Sequence, residues 1–204
     1  MGRRWECPAG AGLMMSVLLR PTADRRHWGT LNLAAAVALE KTLRAVAGVD
    51  AKLKWPNDVL IEGRKVSGIL AAAEADALVL GLGLNVSLTE PELPVPEATS
   101  LLLAGARALD RAALAADFLA RFAAVYRTWD SAGPKAVIGQ WRERSATLGR
   151  RVEVSFPDGG RAAGTAAGIL DDGRLLIDAD DGRRLSVAAG DVVHLRRSLQ
   201  GSRS

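Results

Sequence analysis

Lys54-Trp55-Pro56-Asn57-Asp58-Val59-Leu60-Ile61-Glu62-Gly63-Arg64-Lys65-Val66-Ser67-Gly68 is the stretch around which the chain is organised. Leu53 and Trp55 share one face of an alternating run, which predicts a strand ending at this motif. Pro56 has no amide proton to give a ladder, and Asn57-Asp58 behind it suits a tight turn. Val59-Leu60-Ile61 then leads through a Glu62-Gly63 turn to a third strand, from about Lys65 to Ala73. That path places Asn57 and Asp58 at a strand end and Lys65 at the start of the neighbouring strand. A carboxylate, a carboxamide and an ammonium can therefore converge. The trio suits a nucleotide, with Asp58 for magnesium or an incoming amine and Lys65 for phosphate or carboxylate charge. Taken singly, these residues are ordinary turn chemistry; the whole string carries the argument.

K-W-P-N-D, followed seven residues after the aspartate by Lys65 and then by Gly68-Ile69-Leu70, resembles the signature of biotin protein ligases. Gly2-Arg3-Arg4-Trp5 resembles the end of that family's G-R-G-R-x-G-R-x-W loop, and Gly81-Leu82-Gly83-Leu84-Asn85 its G-x-G-x-N strand. The resemblance implies an α+β fold: a mixed β-sheet packed with helices, followed by a small SH3-like β-barrel. It also implies an ATP-dependent ligase that activates biotin as biotinyl-5'-AMP and transfers it to a specific lysine of a biotin carboxyl carrier domain of acyl-CoA carboxylases. ATP and magnesium would be co-substrates.

By the same resemblance, Lys65 would stand near the biotin carboxyl and the α-phosphate. Asp58 would bind magnesium or orient the acceptor amine, with Asn57 supporting that geometry. Asn85 would contact ligand, Arg3 the phosphates, and Gly2 and Trp5 would belong to the closing loop. Gly68 and Gly83, with Gly81, would keep the floor of the site low, and Trp55 would pack beneath it. Family members carry a strand, a helix and a second strand ahead of the Gly2-Arg3 match, with residues that hold the biotin ring. The expectation is a chain that begins inside this pattern, as a fragment or from an internal start, with a sheet edge and apolar surface exposed. A non-catalytic remnant that binds carrier domain or nucleotide, and a related lipoate-type ligase, are the alternatives. A homodimer stays open, and no DNA-binding helix-turn-helix is visible.

Composition sets bounds on these readings. The 204 residues are 49% apolar, enough for one main domain with a small satellite. No apolar run approaches a membrane span, and the N-terminus does not read as a signal peptide. One cysteine, Cys7, allows no internal disulfide and suits a reducing cytoplasm. His27 and His194 lie far apart without neighbouring ligands, so both are expected at the surface or in structural roles. The net charge of +4 lies partly in the C-terminal arginines, with no basic helix interleaved with aromatics to read as a nucleic-acid site. The basic balance alone decides nothing, and a basic nucleic-acid-binding module stands as a third alternative.

The remaining chain supplies the frame. Gly10 to Leu19 reads as glycines feeding a buried strand, and Thr30 to Ala47 as a helix stopped by Gly48, with Ala34-Ala35-Ala36 allowing close approach to a sheet. Val66 to Ala73 and Ala77 to Val86 read as an interior hairpin. The G-x-G at its end is no dinucleotide fingerprint, since no helix with a third glycine follows. Three prolines make 88–98 a loop, and Thr99-Ser100 is read as structural. Asp110 caps a helix to about Trp129 with a buried stripe of Leu114, Phe118, Phe122, Val125 and Trp129. A shorter helix from Pro134 to about Arg144 is anchored by Trp141. From Leu148, alternating strands parted by Asp-Gly turns at 158–159, 172–173 and 181–182 read as a small barrel, ending in Gly190-Asp191-Val192. The expected division is residues 1–147, 148–196 and a basic tail at 197–204.

Overall fold

The computed structural model describes residues 5, 7–156, 159–188 and 190–195. Its first sheet holds five strands: β1 (Gly12–Leu19), β2 (Ala51–Lys54), β3 (Asp58–Ile61), β4 (Arg64–Glu74) and β5 (Ala77–Asn85). They lie in the order β1-β5-β4-β3-β2. The described pairings between them are antiparallel. Parallel contact comes as two single bridges, Leu53 with Ser145 and Lys65 with Ala98. The tight β3–β4 turn is made by Glu62 and Gly63, both at positive φ, the geometry that matches the twist of a hairpin.

Helix α1 (Leu31–Thr42), prolonged by a π-helical segment at Leu43–Ala47, crosses the inner face of this sheet. Gly48 ends it at φ 74°, as its sequence predicts. The burial of this helix is not confined to the face turned to the sheet. From Leu31 to Leu39 only Asn32 escapes full burial, because α2 (Arg111–Ala132) and α3 (Lys135–Glu143) cover the side turned away from the sheet. The three alanines, each almost wholly inaccessible, let these layers approach closely.

Helix α2 follows its sequence pattern. The Asp110 carboxylate accepts from the amides of Ala112 and Ala113, and the five stripe residues are all buried. Phe118 and Phe122 stack with centroids 5.5 Å apart. Trp129 donates its indole N–H to Thr30 Oγ1 at 2.7 Å, tying the end of α2 to the start of α1.

Strand β1 departs from expectation. It is an edge strand among the described residues, and its burial alternates. Leu13, Met15, Val17 and Leu19 pack on the core, whereas Met14 and Leu18 are 60% and 58% exposed. Through the register these two share a face with Gly83 and Val79 of β5, and Leu70 of β4 lies on it too. The hairpin is interior in strand order, but its second face is left open around Val79 and Leu70.

The second sheet contains β6 (Arg151–Ser155), β7 (Arg161–Ile169), β8 (Leu175–Ala179), β9 (Arg184–Val187) and β10 (Asp191–His194), antiparallel in the order β10-β6-β7-β8-β9. Val152, Val154, Ala166, Ile177, Val187 and Val192 fill its interior, giving the SH3-like barrel type. Gly159, Gly173 and Gly182 all adopt positive φ, so each Asp-Gly pair ends in a residue suited to the left-handed turn.

Gly173 has a second duty. A Cβ there would come 2.9 Å from Thr30 Cγ2 and 3.5 Å from Leu33, so the β7–β8 turn is seated against the start of α1. Gly173→Ala should therefore destabilise the chain by about 1–2 kcal/mol, from positive φ and the clash together. A urea midpoint equal to that of the unsubstituted chain would contradict this seating.

Candidate functional site

The site grows from the end of β2. In the β2–β3 register Lys54 faces Asp58, which puts both charged groups on one side while Leu53 and Trp55 turn into the core. Lys54 Nζ lies 3.9 Å from Asp58 Oδ2. Lys65, at the start of β4, brings Nζ to 2.5 Å from Asp58 Oδ1. The Asp58 side chain is 14% exposed, so the carboxylate is largely shielded and held between two ammonium groups. Two cations to one carboxylate leave an excess of positive charge, the sign needed beside a carboxylate or phosphate.

Lys65 is braced through its backbone. Its N–H donates to Glu97 O at 2.7 Å and its carbonyl accepts from Thr99 N at 2.8 Å. Thr99, of the Thr99-Ser100 pair read as structural, and Glu97, at the end of the proline loop, thus hold the main chain of the central lysine. Ser100 Oγ in turn donates to Leu88 O, which fixes the bend of segment 97–101.

The floor is glycine. An added Cβ at Gly83 would meet the Trp5 indole at 2.5 Å, and one at Gly68 would meet it at 3.0 Å. The indole lies flush on the sheet at these two positions, and Lys65 Nζ stands 5.8 Å from the ring centroid. Gly81 is different: its Cβ would make only an ordinary 3.7 Å contact with Leu70 O, so no close approach requires glycine there.

Asn85 is 1% exposed and donates Nδ2–H to Thr99 O at 2.9 Å, while its Oδ1 is buried without a hydrogen-bond partner among the described residues. Asn57 is half-buried, and its carbonyl accepts from Ile69 N at 2.9 Å, which binds the turn to β4. Gly2 and Arg3 lie outside the described residues. Among the described residues no group of three His, Cys, Asp or Glu could hold a metal ion. Asp58, already matched by two lysines, does not fit a resident metal.

Sequence reasoning passed over Lys54 as a site residue. Its alternation with Leu53 and Trp55 was the available signal. It also passed over what lies behind the motif. Trp55 is buried, with its backbone N–H donating to Thr147 Oγ1 at 3.0 Å and its indole Nε1–H to Gly173 O at 2.9 Å. Thr147 Oγ1 is 3.2 Å from His194 Nε2. Burial first, then the charges of Lys54 and Arg150, depress the His194 pKa from 6.5 to about 4.

Residues 1–86 match the Biotin/lipoate A/B protein ligase family, and residues 147–195 match the Biotin protein ligase C terminal domain. A biotin–[acetyl-CoA-carboxylase] ligase of Mycobacterium tuberculosis is 43% identical over 199 residues, spanning 96% of this chain and 74% of the relative. The bifunctional ligase/repressor BirA of Bacillus spizizenii is 33% identical, spanning 89% of this chain and 58% of its own length. Among solved structures, biotin protein ligase from Aquifex aeolicus superposes with a TM-score of 0.81 at 25% identity, covering 91% of this chain and 83% of that one. The same enzyme in complex with biotin and ATP gives 0.78 at 27% identity, covering 91% and 79%. The chain belongs to the biotin protein ligase family.

Two outcomes follow from the geometry. Gly83→Ala should expel the Trp5 indole from the floor, read as a large shift of its indole N–H cross-peak in a nitrogen–proton spectrum; an unmoved peak would contradict the contact. For His194, the folded pKa lies below the unfolded one, so the unfolded chain binds more protons between them. The stability linked to His194 is full above pH 6.5 and is lost as pH falls towards 4. His194→Gln should flatten that part of the urea-midpoint profile relative to the unsubstituted chain.

Proposed function

We propose that the chain is an ATP-dependent biotin ligase acting on a lysine of the biotin carboxyl carrier domain of an acyl-CoA carboxylase. The observation that carries this reading is the Lys54–Asp58–Lys65 cluster, set on the K-W-P-N-D turn beside a glycine floor. In the first step a biotin carboxylate oxygen attacks the α-phosphorus of ATP, the bond to pyrophosphate breaks, and biotinyl-5'-AMP forms. In the second, the acceptor lysine attacks the acyl carbon as a free amine. The bond to AMP breaks and the amine proton is lost as the amide forms.

Negative charge builds first around phosphorus and then on the acyl oxygen. Lys65 is the cation we assign to both, since it is braced at its backbone and stands over the floor. Asp58 orients the incoming amine and holds Lys65 in place, with Asn57 shaping the turn. Asn85 offers the site its Oδ1, which has no hydrogen-bond partner among the described residues, and Arg3 in the Gly2-Arg3 loop is assigned to the phosphates. Trp5, Gly68 and Gly83 form the surface on which the ligand lies. Magnesium enters with the ATP phosphates, not as a resident ion, and supplies charge neutralisation there when bound.

We assign residues 1–147 to the catalytic domain and 148–196 to the SH3-like domain, with 197–204, outside the described residues, as a basic tail. Among the described residues no helix is long and apolar enough to cross a membrane. A single free cysteine accords with a cytoplasmic setting.

Biotin-dependent release of pyrophosphate from ATP tests the reading. Lys65→Ala should lower the turnover number about 100-fold or more, with the thermal transition kept. Turnover by that variant at the rate of the unsubstituted chain would remove Lys65 from the chemistry. Release driven by lipoate or octanoate, and not by biotin, would replace the substrate.

A further inference from the structure

The chemistry assigned above uses the turn after Trp55, and the structure shows what holds that turn from behind. Segment 144–147 runs alongside β2. Leu53 N–H donates to Arg144 O at 2.9 Å and Ala146 N–H to Leu53 O at 2.7 Å. Two residues beyond Leu53, the Trp55 amide donates to Thr147 Oγ1, and that oxygen lies against Nε2 of His194 on the last strand of the barrel. Thr147 is wholly buried. A three-membered chain therefore runs from the main chain of the K-W-P-N-D motif to the C-terminal domain. Pro56 has no amide proton, so the Trp55 amide is the last main-chain donor before Asn57.

We propose that Thr147 and His194 are positioning residues of the ligase site, a hydrogen-bonded pair that fixes the Trp55 amide and so sets where the following turn presents Asp58 to Lys65. This rests on the ligase reading. The Trp55 amide, the Thr147 hydroxyl and Nε2 satisfy one another when the imidazole is neutral with Nε2 unprotonated. Thr147 Oγ1 accepts from Trp55 and its hydroxyl proton goes to Nε2. A proton on Nε2 would turn it into a second donor towards the same oxygen, leaving the buried hydroxyl proton without that acceptor. The charged groups that face the ring are Lys54 of β2 and Arg150 at the entrance to β6, and both oppose an imidazolium. Lys54 is the same ammonium that faces Asp58, so a charge on His194 would act directly on the cluster. The barrel contributes geometry to the reaction through this contact.

Thr147→Val keeps the shape and removes the hydroxyl, and Thr147→Ser restores it. Biotin-dependent pyrophosphate release and amide hydrogen exchange are read on both variants and on His194→Ala, all in the full 204-residue chain. The expected result is a roughly tenfold fall in kcat for Thr147→Val with KM for ATP changed by less than about twofold, and recovery in Thr147→Ser. Exchange at the Trp55 amide should quicken in Thr147→Val and His194→Ala while the β4–β5 hairpin stays protected. Unchanged kcat in Thr147→Val, unchanged exchange at Trp55, or failure of Thr147→Ser to recover would overturn the proposal and leave the ligase reading intact. No release from the unsubstituted chain would overturn the ligase reading and this role with it.

Discussion

Both N–H groups of Trp55 are committed to the C-terminal part of the chain, and the side chain is 2% exposed. This one residue closes the first sheet against the second domain and starts the turn that carries Asp58. Removing either acceptor would leave a donor unpaired in a site shut off from water, which costs more than an ordinary surface hydrogen bond. The indole is also large, so its burial joins the sheet, the start of α1 and the β7–β8 turn into one packed unit. The position of the charged cluster is thus inherited from a packing constraint on its far side.

The cluster shows how a fold can aim charge. Lys54 and Lys65 come from different strands: the β2–β3 register sets Lys54 opposite Asp58, and Lys65, paired with Leu60 beyond the irregularity in the β3–β4 ladder, reaches the same carboxylate with its side chain. Strand β4 is fixed at its first residues by segment 97–99 and at Ile69 by the Asn57 carbonyl. Little rearrangement is then left for the moment of reaction, which is the condition under which fixed charges lower a barrier most. The glycines work in the same direction by letting an aromatic ring lie flat where any side chain would lift it.

Much of this was legible in the sequence because it depends on neighbours a few residues apart. The Pro56-Asn57-Asp58 turn, the Glu62-Gly63 hairpin, the α2 stripe and the Asp-Gly turns at 172–173 and 181–182 are all local patterns, and the structure follows them; Asp158 of the remaining Asp-Gly turn lies outside the described residues. What escaped depends on distant partners. Trp55 meets Thr147 and Gly173 across 92 and 118 residues, and no periodicity links them. His194 read as surface or structural, and it is half-buried beside Lys54 because β10 happens to close there. The reading of β1 as buried failed for a related reason: apolar composition does not say whether one face or two are covered. The all-round burial of α1 was hidden likewise, since alanine fits a stripe and a sandwich equally well. Asn85 was expected to face ligand; its Nδ2 is instead engaged with Thr99, and only Oδ1 is without a partner among the described residues.

The central claim is that the charged cluster on this turn makes an acyl-adenylate and passes the acyl group to a lysine. The most direct measurement is the intact mass of a biotin carboxyl carrier domain after incubation with the chain, ATP, magnesium and biotin. The expected result is the added mass of one biotinyl group on one lysine, dependent on ATP. A carrier domain of unchanged mass, under conditions in which a known biotin protein ligase labels it fully, would contradict the account.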